Sequence, residues 1–188
     1  MSINVRKSFV AGMLIGIGVI INLTLSIPAL GALLFSFGLL TIIQMQLPLY
    51  TGKIGFFPIT NWMELSFILF ANLCGIGLVI ALYGLAHSEF CDIITAAAQC
   101  KFEKSILQMF IDGIFCGALI HFAVKNKISY ITIMAIMIFI LIGAEHCIAD
   151  FPYLLFNCTT INIWKYLAIV TGNSIGALGI ERLVKNNG

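Results

Sequence analysis

The sequence predicts an all-α integral membrane protein of six transmembrane helices, arranged as two inverted three-helix repeats with the second and fifth helices broken. Three observations carry that prediction. Hydrophobic residues make up 61% of the chain and charged residues only 10%, with a mean hydropathy of +1.07, whereas a soluble domain carries about 25% charged residues. Six apolar runs approach the length of about 20 residues that a bilayer crossing needs. The chain also resembles itself when it is shifted by 101 residues. Together these make residues 1–188 one transmembrane domain with repeats over about 8–86 and 104–181.

The long uncharged run 8–52 divides near Pro28 into two spans. No small-residue cleavage site follows a short apolar core, so this run reads as spans and not as a signal peptide. The second span, GALLFSFGLLTIIQMQLPLYTGK, contains Pro48 and Gly52 and should break towards its end. Spans three to six cover about 61–86, 104–124, 128–150 and 160–180. Placing the N-terminus inside puts Arg6, Lys7, Lys53, Lys125, Lys127, Arg182 and Lys185 on the inner side, and Lys101, Lys104 and Lys165 on the outer. Positive charge concentrates in the cytoplasm, so both termini are expected there, in a plasma or inner membrane. A net charge of +2 gives no basic surface for nucleic acid.

The shift of 101 residues lays SFVAGMLIG (8–16) over MFIDGIFCG (109–117), and NLCG (72–75) over NSIG (173–176), with no gap between the two matches. Each copy holds three spans, an odd number, so the second copy lies inverted. Inverted repeats with broken helices mark transport pathways at the repeat interface. The middle span of each copy carries the irregularity, LPLYTGK (47–53) in one and EHCIADFPY (145–153) in the other, and each includes a proline with polar neighbours. Non-helical backbone at membrane depth persists only where protein buries it or water wets it.

His146 therefore stands out, beside Glu145 and close to Asp150 in an apolar stretch. A titratable side chain is costly in hydrocarbon, and a histidine titrates near neutral pH. It is the candidate to give a proton or a hydrogen bond to a passing anion. His121 and His87 read as structural or solvated, and Asp112 and Glu64 as packing or interface groups. Cys74, Cys116 and Cys147 read as small core residues. Cys91, Cys100 and Cys158 fall in connections, where a Cys91–Cys100 disulfide is open.

Four motifs in order give a resemblance. LYTGK (49–53), GIFCG (113–117), AEHCIAD (144–150) and TGNSIGA (171–177) are similar to the LFTGN, GILCN, FEHSVAN and LGNIIGG motifs of the formate/nitrite transporter family. The chain resembles a short member over nearly its whole length. The resemblance implies an aquaporin-like protomer assembled as a homopentamer in the lipid bilayer, with no cofactor or metal and no enzymatic activity. Counting as that family does from Thr51 gives constriction residues Phe35 and Leu39, and counting back from His146 gives Phe139. Counting back from Gly117 gives the vestibule lysine, Lys101. Leu49, Tyr50 and Glu145 complete the implied pathway. Departures from the family include Pro48 in place of a loop acid, Asp150 and Gly117 each in place of an Asn, and Ala144 in place of a Phe.

The implied function is a channel for small monovalent weak-acid anions such as formate, nitrite or hydrosulfide. Lys101 would attract the anion, the apolar constrictions would stop a bare ion, and protonation near His146 would let it cross as the neutral acid. The alternative is an aquaporin-like channel for small neutral solutes, disfavoured because paired NPA motifs are absent. A metalloenzyme built on Glu145, His146 and Asp150 would have a thin ligand set.

Overall fold

The computed structural model describes residues 4–57, 61–126 and 128–185; Lys127 lies outside them. The described residues form nine helices: α1 (Val5–Thr24), α2 (Pro28–Gln44), α3 (Tyr50–Lys53), α4 (Trp62–Ala86), α5 (Ser88–Lys101), α6 (Ile106–Asn126), α7 (Ser129–Leu141), α8 (Cys147–Phe156) and α9 (Thr160–Lys185). Four of them, α1, α4, α6 and α9, are long and apolar enough to cross a bilayer, and α2, α7 and α8 are shorter apolar helices. Asn4 caps α1 by accepting the Lys7 N–H at 3.1 Å. Pro28 opens α2 at a position where its missing N–H costs no hydrogen bond. Large apolar side chains such as Phe70 and Leu85 cover the outside, while Thr51, Asn72, His146 and Asn173 are buried. That is the distribution expected where hydrocarbon is the surrounding solvent.

Both expected breaks are present, and they are built alike. After α2, Leu47 N–H bonds back to Ile42 O and Gln46 N–H to Ile43 O; after α7, Ala144 N–H bonds to Phe139 O and Gly143 N–H to Ile140 O. Gln46 (φ 53°) and Gly143 (φ 72°) hold the left-handed position in these two turns. This is the helix stop in which a six-to-one hydrogen bond satisfies the last carbonyls. The chain then runs extended through Leu49 and His146 into α3 and α8.

Two asparagines hold the extended segments. Asn72 on α4 accepts the Tyr50 N–H through Oδ1 at 2.9 Å and donates through Nδ2 to Ser8 O and Pro48 O at 2.6 and 3.1 Å. Asn173 on α9 accepts the Cys147 N–H at 2.9 Å and donates to Gly113 O and Glu145 O, both at 2.8 Å. Backbone groups that lack helical partners are thereby satisfied inside the protein. Close helix approach makes this reach possible. A Cβ on Gly12 would lie 2.0 Å from Asn72 O, and one on Gly117 would lie 2.1 Å from Asn173 O.

These contacts revise the internal register. Asn72 and Gly75 do correspond to Asn173 and Gly176, 101 residues later. In the first helices, however, Ser8 plays the part of Gly113, and Gly12 that of Gly117, an offset of 105. In the breaks Pro48, Leu49 and Tyr50 correspond to Glu145, His146 and Cys147, an offset of 97. The ungapped match of residues 8–16 to 109–117 is thus out by one helical turn. Glycines spaced four apart in both helices favour the ungapped match, which pairs Gly12 and Gly16 with Gly113 and Gly117, whereas the slip of four pairs only Gly12 with Gly117.

Other expectations are also corrected. Pro152 lies inside α8 and interrupts no helix; the break between α7 and α8 falls at 142–146, where the turn after α7 and the Asn173 hydrogen bonds stop the helix. The segment between α4 and α6, expected as a connection, is a helix, α5, with Phe90, Ile94 and Ala98 buried at spacings of four. Cys91 and Cys100 are free thiols on that one helix. Nine residues of helix separate them by about 13 Å, beyond the roughly 7 Å that a disulfide can bridge between Cα atoms. Cys116 and Cys147 are buried as expected, but Cys74 is exposed on the apolar outer surface.

Candidate functional site

The two breaks meet. Thr51 Oγ1, in the first turn of α3, lies 2.9 Å from His146 Nε2, and both residues are buried. His146 is also the N-cap of α8, and its Nδ1 accepts the Ala149 N–H at 3.1 Å. A nitrogen that accepts an N–H carries no hydrogen, so the ring hydrogen is on Nε2 and is donated to Thr51. Both ring nitrogens are engaged, and the imidazole is fixed as one neutral tautomer. To charge the ring, a proton would have to displace the helix cap at Nδ1.

An apolar layer adjoins this pair. Phe35 on α2 meets Phe139 on α7 edge to face, with ring centroids 6.2 Å apart, and the Phe139 ring lies 6.0 Å from that of His146. Phe35, Phe139 and His146 line one cavity of about 220 Å³. Leu39, one helical turn after Phe35, and Leu49 line a second, of about 410 Å³. One turn of α2, about 6 Å, thus separates the linings of the two cavities.

The first cavity carries a charged cluster. Lys101, the last residue of α5, pairs with Glu145 Oε2 and lies 3.0 Å from Asp150 Oδ1. Lys104 donates to Glu145 Oε1 and Asp112 Oδ2, both at 2.7 Å, and to Gly143 O at 2.8 Å. Partial burial disfavours the Lys104 ammonium, but hydrogen bonds to Asp112 and Glu145 outweigh that and hold its pKa above the ordinary lysine value. The second cavity has Lys53 and Lys125 on its wall. Lys125 shares Glu181 Oε2 with His121, at 2.7 and 3.0 Å, and Phe56 lies against the His121 ring.

A model of the formate/nitrite transporter family matches residues 3–185. The chain belongs to that family. Two solved structures share its fold. One is a pentameric formate channel with formate bound, 20% identical, with 98% of each chain covered and a TM-score of 0.79. The other is an FNT family ion channel, 21% identical, covering 96% of this chain and 88% of that one, with a TM-score of 0.83. No curated protein matches the chain.

Against this family frame, the residues expected from the sequence divide into two groups. Phe35, Leu39, Leu49, Thr51, Lys101, Phe139, Glu145 and His146 converge on the two cavities and the layer between them. Tyr50 does not line either cavity; its hydroxyl pairs with Ser174 Oγ at 2.8 Å and its N–H is held by Asn72. Gly117, where the family has an Asn, has no room for a side chain against the Asn173 backbone. Lys104 and Asp112 join the cluster unforeseen. Asp112 reads as a span-end acid until the backbone contact from Glu145 N–H to Asp112 O brings the α7–α8 break to α6. His121 is structural as expected, paired with Glu181, whereas His87 is half-exposed and stacks on Tyr83.

Proposed function

We propose that this member of the formate/nitrite transporter family is a channel for small monovalent weak-acid anions. The observation that carries the reading is a pair of cavities, one lined by Phe35, Phe139 and His146 and the other by Leu39 and Leu49, with Leu39 one helical turn from Phe35 and His146 hydrogen-bonded to Thr51. An anion would be drawn to the first cavity by Lys101 and Lys104. A bare charge meets a desolvation penalty at the apolar layer, and its neutral conjugate acid does not. Neutral His146 supplies a hydrogen-bond donor at Nε2 that Thr51 releases when a substrate oxygen or sulfur takes its place. Protonation therefore belongs in the first cavity, before the layer.

The fuller architecture is part of the same proposal. The chain crosses the bilayer six times as two inverted copies of three spans, with α2–α3 and α7–α8 as the broken ones. The paired roles of Asn72 and Asn173 support it. Both termini lie in the cytoplasm of a plasma or inner membrane, and five copies assemble, as in the similar pentameric formate channel. Flux through liposomes containing the purified protein tests the reading, with formate, nitrite, hydrosulfide, lactate and glycerol compared at two pH values. Selective passage of one small weak-acid anion, faster at low pH, is the expected result. Passage of glycerol alone would overturn it in favour of a neutral-solute channel.

A further inference from the structure

Asp150 stands where the family has an asparagine, and the structure leaves one of its oxygens without a partner. The residue is 4% exposed and lines the first cavity. Its Oδ1 faces Lys101, but Oδ2 is buried with no hydrogen-bond partner. An ionised carboxylate oxygen left so is costly in a dry site. A protonated one is a spare donor that waits for an acceptor.

The charge count points the same way. Two ammonium groups, Lys101 and Lys104, serve three carboxyls, Asp112, Glu145 and Asp150. Both oxygens of Glu145 are taken, one by each lysine, and Asp112 has Lys104. Asp150 has a share of Lys101 and lies within hydrogen-bond reach of the Glu145 carboxyl, while its Oδ2 has no partner. With all three acids ionised the cluster carries one net negative charge and repels an incoming anion; with Asp150 protonated it is neutral. The other titratable groups near Asp150 are Cys116 on α6, Cys147 and Tyr153 on α8 and Tyr166 on α9. None of these is a cation. Among the described residues no charged side chain of α1 or α4 pairs with Asp150.

We infer that Asp150 is the proton donor of the first cavity: its carboxyl is held neutral and gives its proton to a weak-acid anion bound beside Lys101. This rests on the anion-channel reading above. The Asp150 O–H bond breaks and a new bond from that hydrogen to the anion forms, leaving a carboxylate beside Lys101 and a neutral acid that faces Phe35 and Phe139. The carboxylate then takes a proton from water at the cavity mouth. One proton is carried for each anion, and the ionised intermediate repels a second anion until it is neutralised again. His146, with both ring nitrogens engaged, keeps its single tautomer throughout.

Infrared difference spectra and nitrite flux on wild type and Asp150→Asn test this together. Nitrite is the probe because it adds no carboxyl band. At neutral pH the wild type should show a protonated-carboxyl band that is absent from D150N. Wild-type flux should fall as pH rises, by about tenfold per unit on its steep limb for a single proton, and D150N should lose that limb while Asp150→Glu retains it. Identical pH profiles in wild type and D150N would overturn the inference, because protonation would then occur in bulk water; so would spectra without the band. A wild type that shows the band but passes no anion would overturn the channel reading and the donor role, and leave the neutral carboxyl standing.

Discussion

Thr51 and His146 are 95 residues apart in sequence, and their side chains share a 2.9 Å hydrogen bond. His146 is at once the cap of α8 and the donor to Thr51, so different substitutions separate the two duties. Asparagine is a good N-cap and can still accept the Ala149 N–H; leucine cannot. His146→Leu should therefore unfold more readily than His146→Asn by about 1 kcal/mol, measured by thermal unfolding in detergent. Both should lose most anion flux. Thr51→Val leaves a buried ring N–H without an acceptor, at a cost of about 1–3 kcal/mol.

Asn72 and Asn173 each hold one backbone N–H and two carbonyls. Asn72→Ala and Asn173→Ala should each lower the unfolding temperature steeply and by comparable amounts, since each leaves one N–H and one carbonyl of an extended segment without that partner, at about 1–3 kcal/mol apiece before relaxation. Asp is no substitute at either place, because it accepts but cannot donate to two carbonyls. Size-exclusion chromatography after a heating series would measure this. A tolerated Asn173→Ala would show that water or another group fills the gap.

The α6–α9 contact predicts a sharp difference between two glycines. A Cβ on Gly117 would lie 2.1 Å from Asn173 O, whereas one on Gly179 meets nothing within 4 Å. Gly117→Ala should cost about 1–3 kcal/mol or more through forced helix separation. Gly179→Ala should be neutral or slightly stabilising, because alanine favours helix over glycine by about 1 kcal/mol. The same thermal assay checks both.

The paired turns predict opposite signs for two further changes. Gln46 holds a left-handed conformation that costs a side-chain-bearing residue about 1 kcal/mol, so Gln46→Gly should raise stability by up to that amount. Gly143 occupies the equivalent turn with φ 72°, and Gly143→Ala should lower stability by about 1 kcal/mol. Thermal unfolding of the two variants beside the wild type decides both signs.

Much of this was legible in the sequence, and the limits are physical. Apolar length located the four long helices α1, α4, α6 and α9, and polar residues beside prolines flagged the two interrupted stretches, α2–α3 and α7–α8, because backbone polarity at membrane depth is rare enough to be informative. Proline itself was a poor guide to position: Pro48 lies in its break but Pro152 lies in a helix. The glycine pattern suggested a repeat without showing which residues play equivalent parts, since a four-residue slip still lays Gly12 on Gly117. The α5 helix was readable from Phe90, Ile94 and Ala98 but was masked by its low apolar content. The charged cluster was beyond reach, because Asp112, Lys104 and Asp150 come together only when α5, α6 and α8 pack.

The two asparagines hold residues 48, 50, 145 and 147 through hydrogen bonds to main-chain atoms. Proline, tyrosine, glutamate and cysteine occupy those places here, and nothing in the grip itself selects for them. The frame and its lining are consequently separable: a chain of this shape can change what it admits by swapping a few inward groups, while the scaffold that bends its helices stays as it is.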